Sequence, residues 1–250
     1  MPASGRGVRA RAGARRVAYR QMARSTHMTL ARRINDYRDR NVSDQQMIDR
    51  SASTLLFLPG ASGNTAFWQP VANGLQHRGQ RRFIAWPGFG GTPNESTVNG
   101  ISDLVARVVN SMCGPVDLLA QSMGGVIALR AALEKPDLVK HLVLSVTSGG
   151  LDVSALGAED WRPMFQTQNP KLPRWFIEER EDLTGRLGEL SLPVLLLWGD
   201  ADPISPVSVG RRLAALLPRA ELIVLKGGTH DLVCDRANEV VPYIEKHLAS

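Results

Sequence analysis

The stretch VDLLAQSMGGVIALR (residues 116–130) sets a short apolar run directly against Ser-Met-Gly-Gly and then against a run rich in Ala, Ile and Leu. Residues 116–120 have the length and character of a buried strand, and residues 123–134 those of a helix. Ser122 is therefore expected at a strand-to-helix corner. A serine hydroxyl is a poor nucleophile until a neighbouring base takes its proton and N–H donors await the developing oxyanion. A tight corner of this kind lifts the side chain off the sheet and presents the N–H of the following residue, Met123, at a helix N-terminus. Taken alone, Ser-x-Gly-Gly at a helix start reads equally well as a turn with Ser as its cap.

Working outward, the chain alternates strand and helix signals from residue 54 on. Strands are predicted at 54–58, 82–86, 116–120, 141–146, 193–198 and 221–225, with helices near 67–77, 101–112, 123–134, 206–217 and 237–248. Near-continuous apolar strands in such alternation predict an α/β fold, a mostly parallel central sheet with helices on both faces. Ligands then bind outside the carboxyl ends of the strands. Residues 36–53 are so polar that any strand there would be a weak edge strand. The rhythm breaks once, at 147–190, where about forty residues separate two late strands; insertions of that length commonly serve as lids. Within this expected short helical lid, Trp161, Met164 and Phe165 share a helical face, and Trp175 and Phe176 belong to a second amphipathic piece. These aromatics either fasten the segment to the domain or roof an apolar pocket. Arg162, Arg174 and Arg180 suit solvated helix faces or, alternatively, a carboxylate-bearing substrate.

Composition bounds these readings. With 250 residues, 43% of them hydrophobic, the chain can close a substantial core. No apolar run approaches the roughly 20 residues of a bilayer-crossing helix. Cys113 and Cys234 are far apart with no CxxC spacing, so neither a disulfide framework nor a zinc site is expected, and a reducing, cytoplasmic compartment fits. The net charge of +6 invites a nucleic-acid reading until the charges are located: residues 1–35 hold nine Arg and no acid, and subtracting them leaves −3. Residues 1–27 are expected to be a basic, disordered leader and residues 28–250 the folded domain, with the lid inserted at 147–190. A nucleic-acid arm, an anionic-lipid arm or an organellar presequence are alternatives for the leader. An extension without function, with Met28 as an alternative start, is the preferred reading.

Four more segments follow in a telling order: LFLPGASGN (56–64), WPGFGGT (86–92), LLLWGDADPISP (195–206) and GGTHDLV (227–233). Together with AQSMGG (120–125) they resemble the α/β-hydrolase fold family over residues 54–249. AQSMGG is similar to the family's nucleophile elbow G-x-S-x-G, with Ala120 at the first glycine. LFLPGASGN resembles its oxyanion loop, WPGFGGT its D-x-P-G-x-G-x-S loop with Trp86 where Asp is usual, and the last two its acid and base segments. The resemblance implies Ser122 as nucleophile, His230 as base and Asp202, ahead of Asp200 and of Asp231, as the orienting acid, in the family's chain order. It implies the N–H groups of Ala61 and Met123 as oxyanion hole; the lid aromatics Trp161, Phe165, Trp175 and Phe176 are expected, from their clustering, to be its pocket residues. His27 lies in the leader, His77 and His247 in helical, charged surroundings, and His141 at the wrong end of a strand. The implied activity is cleavage of a small carboxylic ester or thioester through an acyl-enzyme, as in a carboxylesterase, with no metal or organic cofactor and a small ester-like molecule as partner. Family members with the same triad also act as C–C bond hydrolases or as a menaquinone-pathway lyase, and a hydrolase-like ligand-binding receptor is an alternative of another class.

Overall fold

The computed structural model of the protein describes residues 52–250. The expected leader at 1–27, and any strands between residues 29 and 51, lie outside the described residues. Six strands, β1 (Thr54–Leu58), β2 (Arg81–Phe83), β3 (Val116–Gln121), β4 (Val139–Ser145), β5 (Val194–Gly199) and β6 (Ala220–Leu225), form one sheet in the order β2-β1-β3-β4-β5-β6. Every pairing is parallel. β3 and β5 are buried along their whole length, which their sequences VDLLAQ and VLLLWG permit because strands covered on both faces need no polar alternation. The edge strands β2 and β6 are only partly buried.

The helices are α1 (Gln69–Gly74), α2 (Ile101–Asn110), α3 (Met123–Glu134), α4 (Arg162–Gln168), α5 (Arg174–Glu178), α6 (Val207–Leu216), α7 (Leu232–Asp235) and α8 (Ala237–Leu248). α2 buries Ile101, Leu104, Val105 and Val108, the 3.6-residue stripe of a helix lying on a core. Each such side chain contributes roughly 1.5–3 kcal/mol by leaving water. α3 is buried almost all round, so its run of Ala and Leu has no polar face to show. Two predicted elements are shorter than expected. The second strand stops at Phe83 because Pro87, which lacks an N–H, and Gly88, at φ 84°, turn the chain away from the sheet. The first helix is split: Asn64 caps a short 3-10 turn, Thr65–Trp68, by accepting from Ala66 N at 3.0 Å, and α1 follows for six residues only.

At the amino ends of the strands, Asp117 lies 1% exposed in the centre of a polar cluster. It accepts from the Ser53 hydroxyl and faces His141 Nδ1 at 2.8 Å, with His77 Nε2 at 3.7 Å. His247, expected on a charged helix face, is in fact buried at 8% exposure, its Nε2 donating to the Leu142 carbonyl at 3.0 Å. Burial pushes the His247 imidazole down to about 4, helped by the nearby His141. Asp117 holds His141 above the ordinary histidine value, and burial lowers His77. A histidine depressed in the folded state contributes stability that is present above its unfolded pKa of 6.5 and lost as pH falls through about 4. His77 acts in the same direction; His141, raised, opposes by contributing only below its folded pKa. The His247 contribution alone corresponds to roughly 3 kcal/mol. Urea unfolding followed from about pH 7 to about pH 4 should therefore show a steep loss of stability in the native sequence and a clearly flatter one in His247→Gln. Parallel curves would contradict this account.

Candidate active site

Ser122 closes β3 with φ 52° and ψ −120°, a backbone region that side chains other than glycine avoid at a cost of about 1–3 kcal/mol. Two hydrogen bonds hold it there: Ser122 N donates to the Ser145 carbonyl, and Gly125 N to that of Ser122, both at 3.0 Å. The following glycines allow the approach. A Cβ on Gly124 would lie 2.6 Å from the Pro59 carbonyl oxygen and 2.8 Å from that of Leu58, and one on Gly125 would lie 2.6 Å from Thr147 Cβ. The start of α3 thus rests against the ends of β1 and β4. The Ser122 side chain makes no capping bond to α3, so the alternative of a simple capping serine loses its support.

The loop after β1 is tied from outside by two buried indoles. Trp68 Nε1 donates to the Leu58 carbonyl at 3.1 Å and Trp86 Nε1 to that of Pro59 at 2.9 Å. Trp86, the residue that departs from the usual family loop, therefore anchors the neighbouring loop through a hydrogen bond of its own. Among the described residues no carbonyl accepts from the N–H of Ala61 or of Met123. Ala61 is buried within the loop, and Met123 is the first residue of α3.

Asp202, 3% exposed, follows β5. Its Oδ1 accepts from Ile204 N at 2.9 Å and Ser205 N at 3.2 Å, while Oδ2 faces His230 Nδ1 at 2.8 Å. With Nδ1 bonded to the carboxylate, Nε2 is the ring nitrogen able to accept a proton. Ser205 in turn donates to the Thr147 carbonyl at 3.2 Å, fixing the acid loop to the end of β4. Asp200 instead accepts from Gly227 N and ties the ends of β5 and β6 together. Asp231 is exposed and introduces α7.

Two residues here carried no signal that sequence reading used. Gln121, 5% exposed, donates through Nε2 to the His230 carbonyl at 3.3 Å. Its Oε1 occupies the space a Cβ on Gly60 would need, so one amide touches both the histidine loop and the loop after β1. Val146 adopts φ 43°, which β-branched residues avoid, and lines the same cavity as Ser122. A buried polar residue closing a strand could have been read from VDLLAQ; nothing in the sequence marks Val146.

Ser122, Met123 and His230 line a cavity of about 550 Å³. Of the aromatics in the long connection between β4 and β5, Trp161 and Phe176 line it as well. Phe165 and Trp175 do not; they pack behind, with ring centroids 6.1 and 6.2 Å from Phe176. Phe89 meets Phe176 edge-on at 5.2 Å and fastens this cluster to the loop after β2. Met164, expected to share the face of Trp161 and Phe165, is instead 69% exposed on a seven-residue helix that buries none of its residues fully. Arg162 and Arg180 line the cavity too. Among the described residues no group of three or more His, Cys, Asp or Glu could hold a metal ion, and no helix is long and apolar enough to cross a membrane.

A sheet of parallel strands with a serine corner after β3, an acid after β5 and a histidine after β6 can be compared with known proteins. The model of the alpha/beta hydrolase family matches residues 55–186. The chain belongs to the alpha/beta hydrolase family. A second model, for the alpha/beta hydrolase fold, matches residues 160–237. The chain is 24% identical to the pimeloyl-[acyl-carrier protein] methyl ester esterase of Nitrosomonas europaea, over 68% of this chain and 85% of that protein. It is 32% identical to the uncharacterized hydrolase YugF of Bacillus subtilis, over 53% of this chain and 63% of that one. Among solved structures, a thermophilic esterase from Thermogutta terrifontis superposes with a TM-score of 0.63 at 20% identity, covering 79% of this chain and 89% of the esterase. The relatives support an alpha/beta hydrolase of ester type.

Proposed function

We propose that this alpha/beta hydrolase cleaves small carboxylic esters or thioesters with Ser122 as nucleophile, His230 as general base and Asp202 as the carboxylate that orients it. The observation that carries the reading is the strained Ser122, opening into the same cavity as an imidazole whose Nδ1 is 2.8 Å from a buried carboxylate. In the first half-reaction His230 Nε2 takes the hydroxyl proton as Ser122 Oγ attacks the carbonyl carbon. The oxyanion forms opposite the N–H groups of Ala61 and Met123, and the proton passes to the departing alkoxide or thiolate. Water, deprotonated by the same nitrogen, then releases the acid and restores Ser122. Each oxyanion donor contributes about 3–4 kcal/mol in comparable sites. The esterase from Nitrosomonas europaea supports an ester as substrate class.

The test is stoichiometric labelling of Ser122 by a fluorophosphonate, with matching loss of turnover of p-nitrophenyl butyrate. A well-folded protein that neither labels nor turns over would move the reading to a ligand-binding protein. Gln121 is a positioning residue in this scheme. Gln121→Ala is expected to lower kcat about tenfold with KM little changed, and Gln121→Asn to recover less than half of the loss because the shorter amide cannot reach the His230 carbonyl. Equal losses in kcat and stability without any change in the pH–rate profile would mark it as structural only.

A further inference from the structure

Several arginines among the described residues are paired with an acid, and Arg162 is not. Arg107, Arg130, Arg186 and Arg236 each reach a carboxylate, respectively Glu95, Glu181, Glu189 and Glu239. Arg162 lines the cavity, and among the described residues no carboxylate pairs with it. Its Nε is fully enclosed and has no hydrogen-bond partner. Asp160, two residues away, accepts from the backbone N of Arg162 at 3.3 Å and reaches the side chain only through its charge, not as an ion pair. The guanidinium carbon sits 5.2 Å from the centroid of the Trp161 ring, a cation–π contact that holds a planar group in place without neutralising it. Arg180 lines the same cavity and spends one terminal nitrogen on the Ile177 and Glu179 carbonyls, also without a carboxylate.

The acids around the cavity do not fill this need. Asp152 binds Ser154, Asp182 binds Thr184 N, Glu179 accepts from Ile101 N, and Glu181 pairs with Arg130. Glu159 and Asp160 are exposed at the rim. Burial first, then the neighbouring positive charge of Arg180, lower the Arg162 pKa, with Asp160 opposing. Arginine keeps its proton near neutrality, so Arg162 presents a positive charge to the cavity. A guanidinium fork matches a carboxylate, and the acids at the rim weigh against multiply charged anions such as phosphate esters.

We propose that the cavity takes esters carrying a second, free carboxylate, the half-esters of dicarboxylic acids, and that Arg162, seconded by Arg180, holds that carboxylate while Ser122 meets the ester. The proposal rests on the reading of the cavity as an ester site. Monomethyl adipate and methyl hexanoate are matched in chain length and differ only at the far end, carboxylate against methyl.

Binding and turnover separate the two readings. Calorimetry on Ser122→Ala, where no ester is consumed, should show monomethyl adipate binding about tenfold to a hundredfold more tightly than methyl hexanoate, the range of charge-assisted hydrogen bonds. The double variant Ser122→Ala/Arg162→Met should lose most of that preference. Arg180→Met in the same background should lose part of it, and added salt should narrow it without any substitution. Equal binding of the two esters by Ser122→Ala overturns the proposal, as does a preference that survives Arg162→Met and salt. Should Ser122→Ala discriminate while the unsubstituted enzyme hydrolyses neither ester, the carboxylate subsite stands and the esterase reading falls.

Discussion

Ser122→Ala is expected to reduce ester turnover by a factor of about 10⁴ or more, down to what the N–H donors and binding alone supply, and to abolish fluorophosphonate labelling. The fold should be untouched, since the hydroxyl makes no capping bond to α3. Ser122→Gly adds a second readout. At φ 52° and ψ −120° only glycine is at ease, so this variant should be as inactive as the alanine one and yet more stable, by about 1 kcal/mol or more. Differential scanning calorimetry and p-nitrophenyl butyrate assays on both variants check this. An active Ser122→Ala would point to another nucleophile, and a Ser122→Gly no more stable than the native sequence would show that the corner stores no strain.

Asp202→Asn should cost roughly 10⁴ in kcat while leaving the backbone around it intact. The amide oxygen can still accept from Ile204 N and Ser205 N, the two bonds that shape the turn after β5. What changes is the face toward His230. An amide nitrogen there donates to Nδ1 and drives the ring proton to Nε2, the atom that must accept the serine proton. The discriminating comparison is Asp231→Asn, which should stay within about twofold of the native rate, because Asp231 is exposed and begins a short helix. If the two substitutions had equal effects, the assignment of Asp202 would fail.

Much of this arrangement was legible because buried parallel strands are written as apolar runs whose ends are sharp. Ser122, Asp202 and His230 each follow such a run, so their common location at the carboxyl ends could be anticipated before any contact was known. Asp202 and Asp200 were harder to separate, since both lie in one turn. Their hydrogen bonds separate them: one carboxylate faces the imidazole, the other the Gly227 N–H. Residues defined by tertiary context stayed hidden. Val146 takes a backbone conformation its side chain disfavours, Gln121 matters through a neighbour 109 positions away, and His247 is buried on a helix whose sequence looked solvated. The aromatic segment was legible as a group but not residue by residue, because which rings of a short helix face the cavity is set by the tertiary contacts it makes, here those with Phe176.

The all-parallel sheet also bears on how the chain reaches its native state. Parallel neighbours cannot be joined by a tight hairpin, so each pairing waits for a crossover to close, and β4 must wait for the whole aromatic connection before β5 arrives. β1 has a longer wait still, because β3, its partner toward the sheet centre, emerges only after β2 and α2 have been made. Such non-local topology folds slowly and exposes apolar edges on the way. Low temperature and slow synthesis should therefore favour recovery of native protein over aggregation.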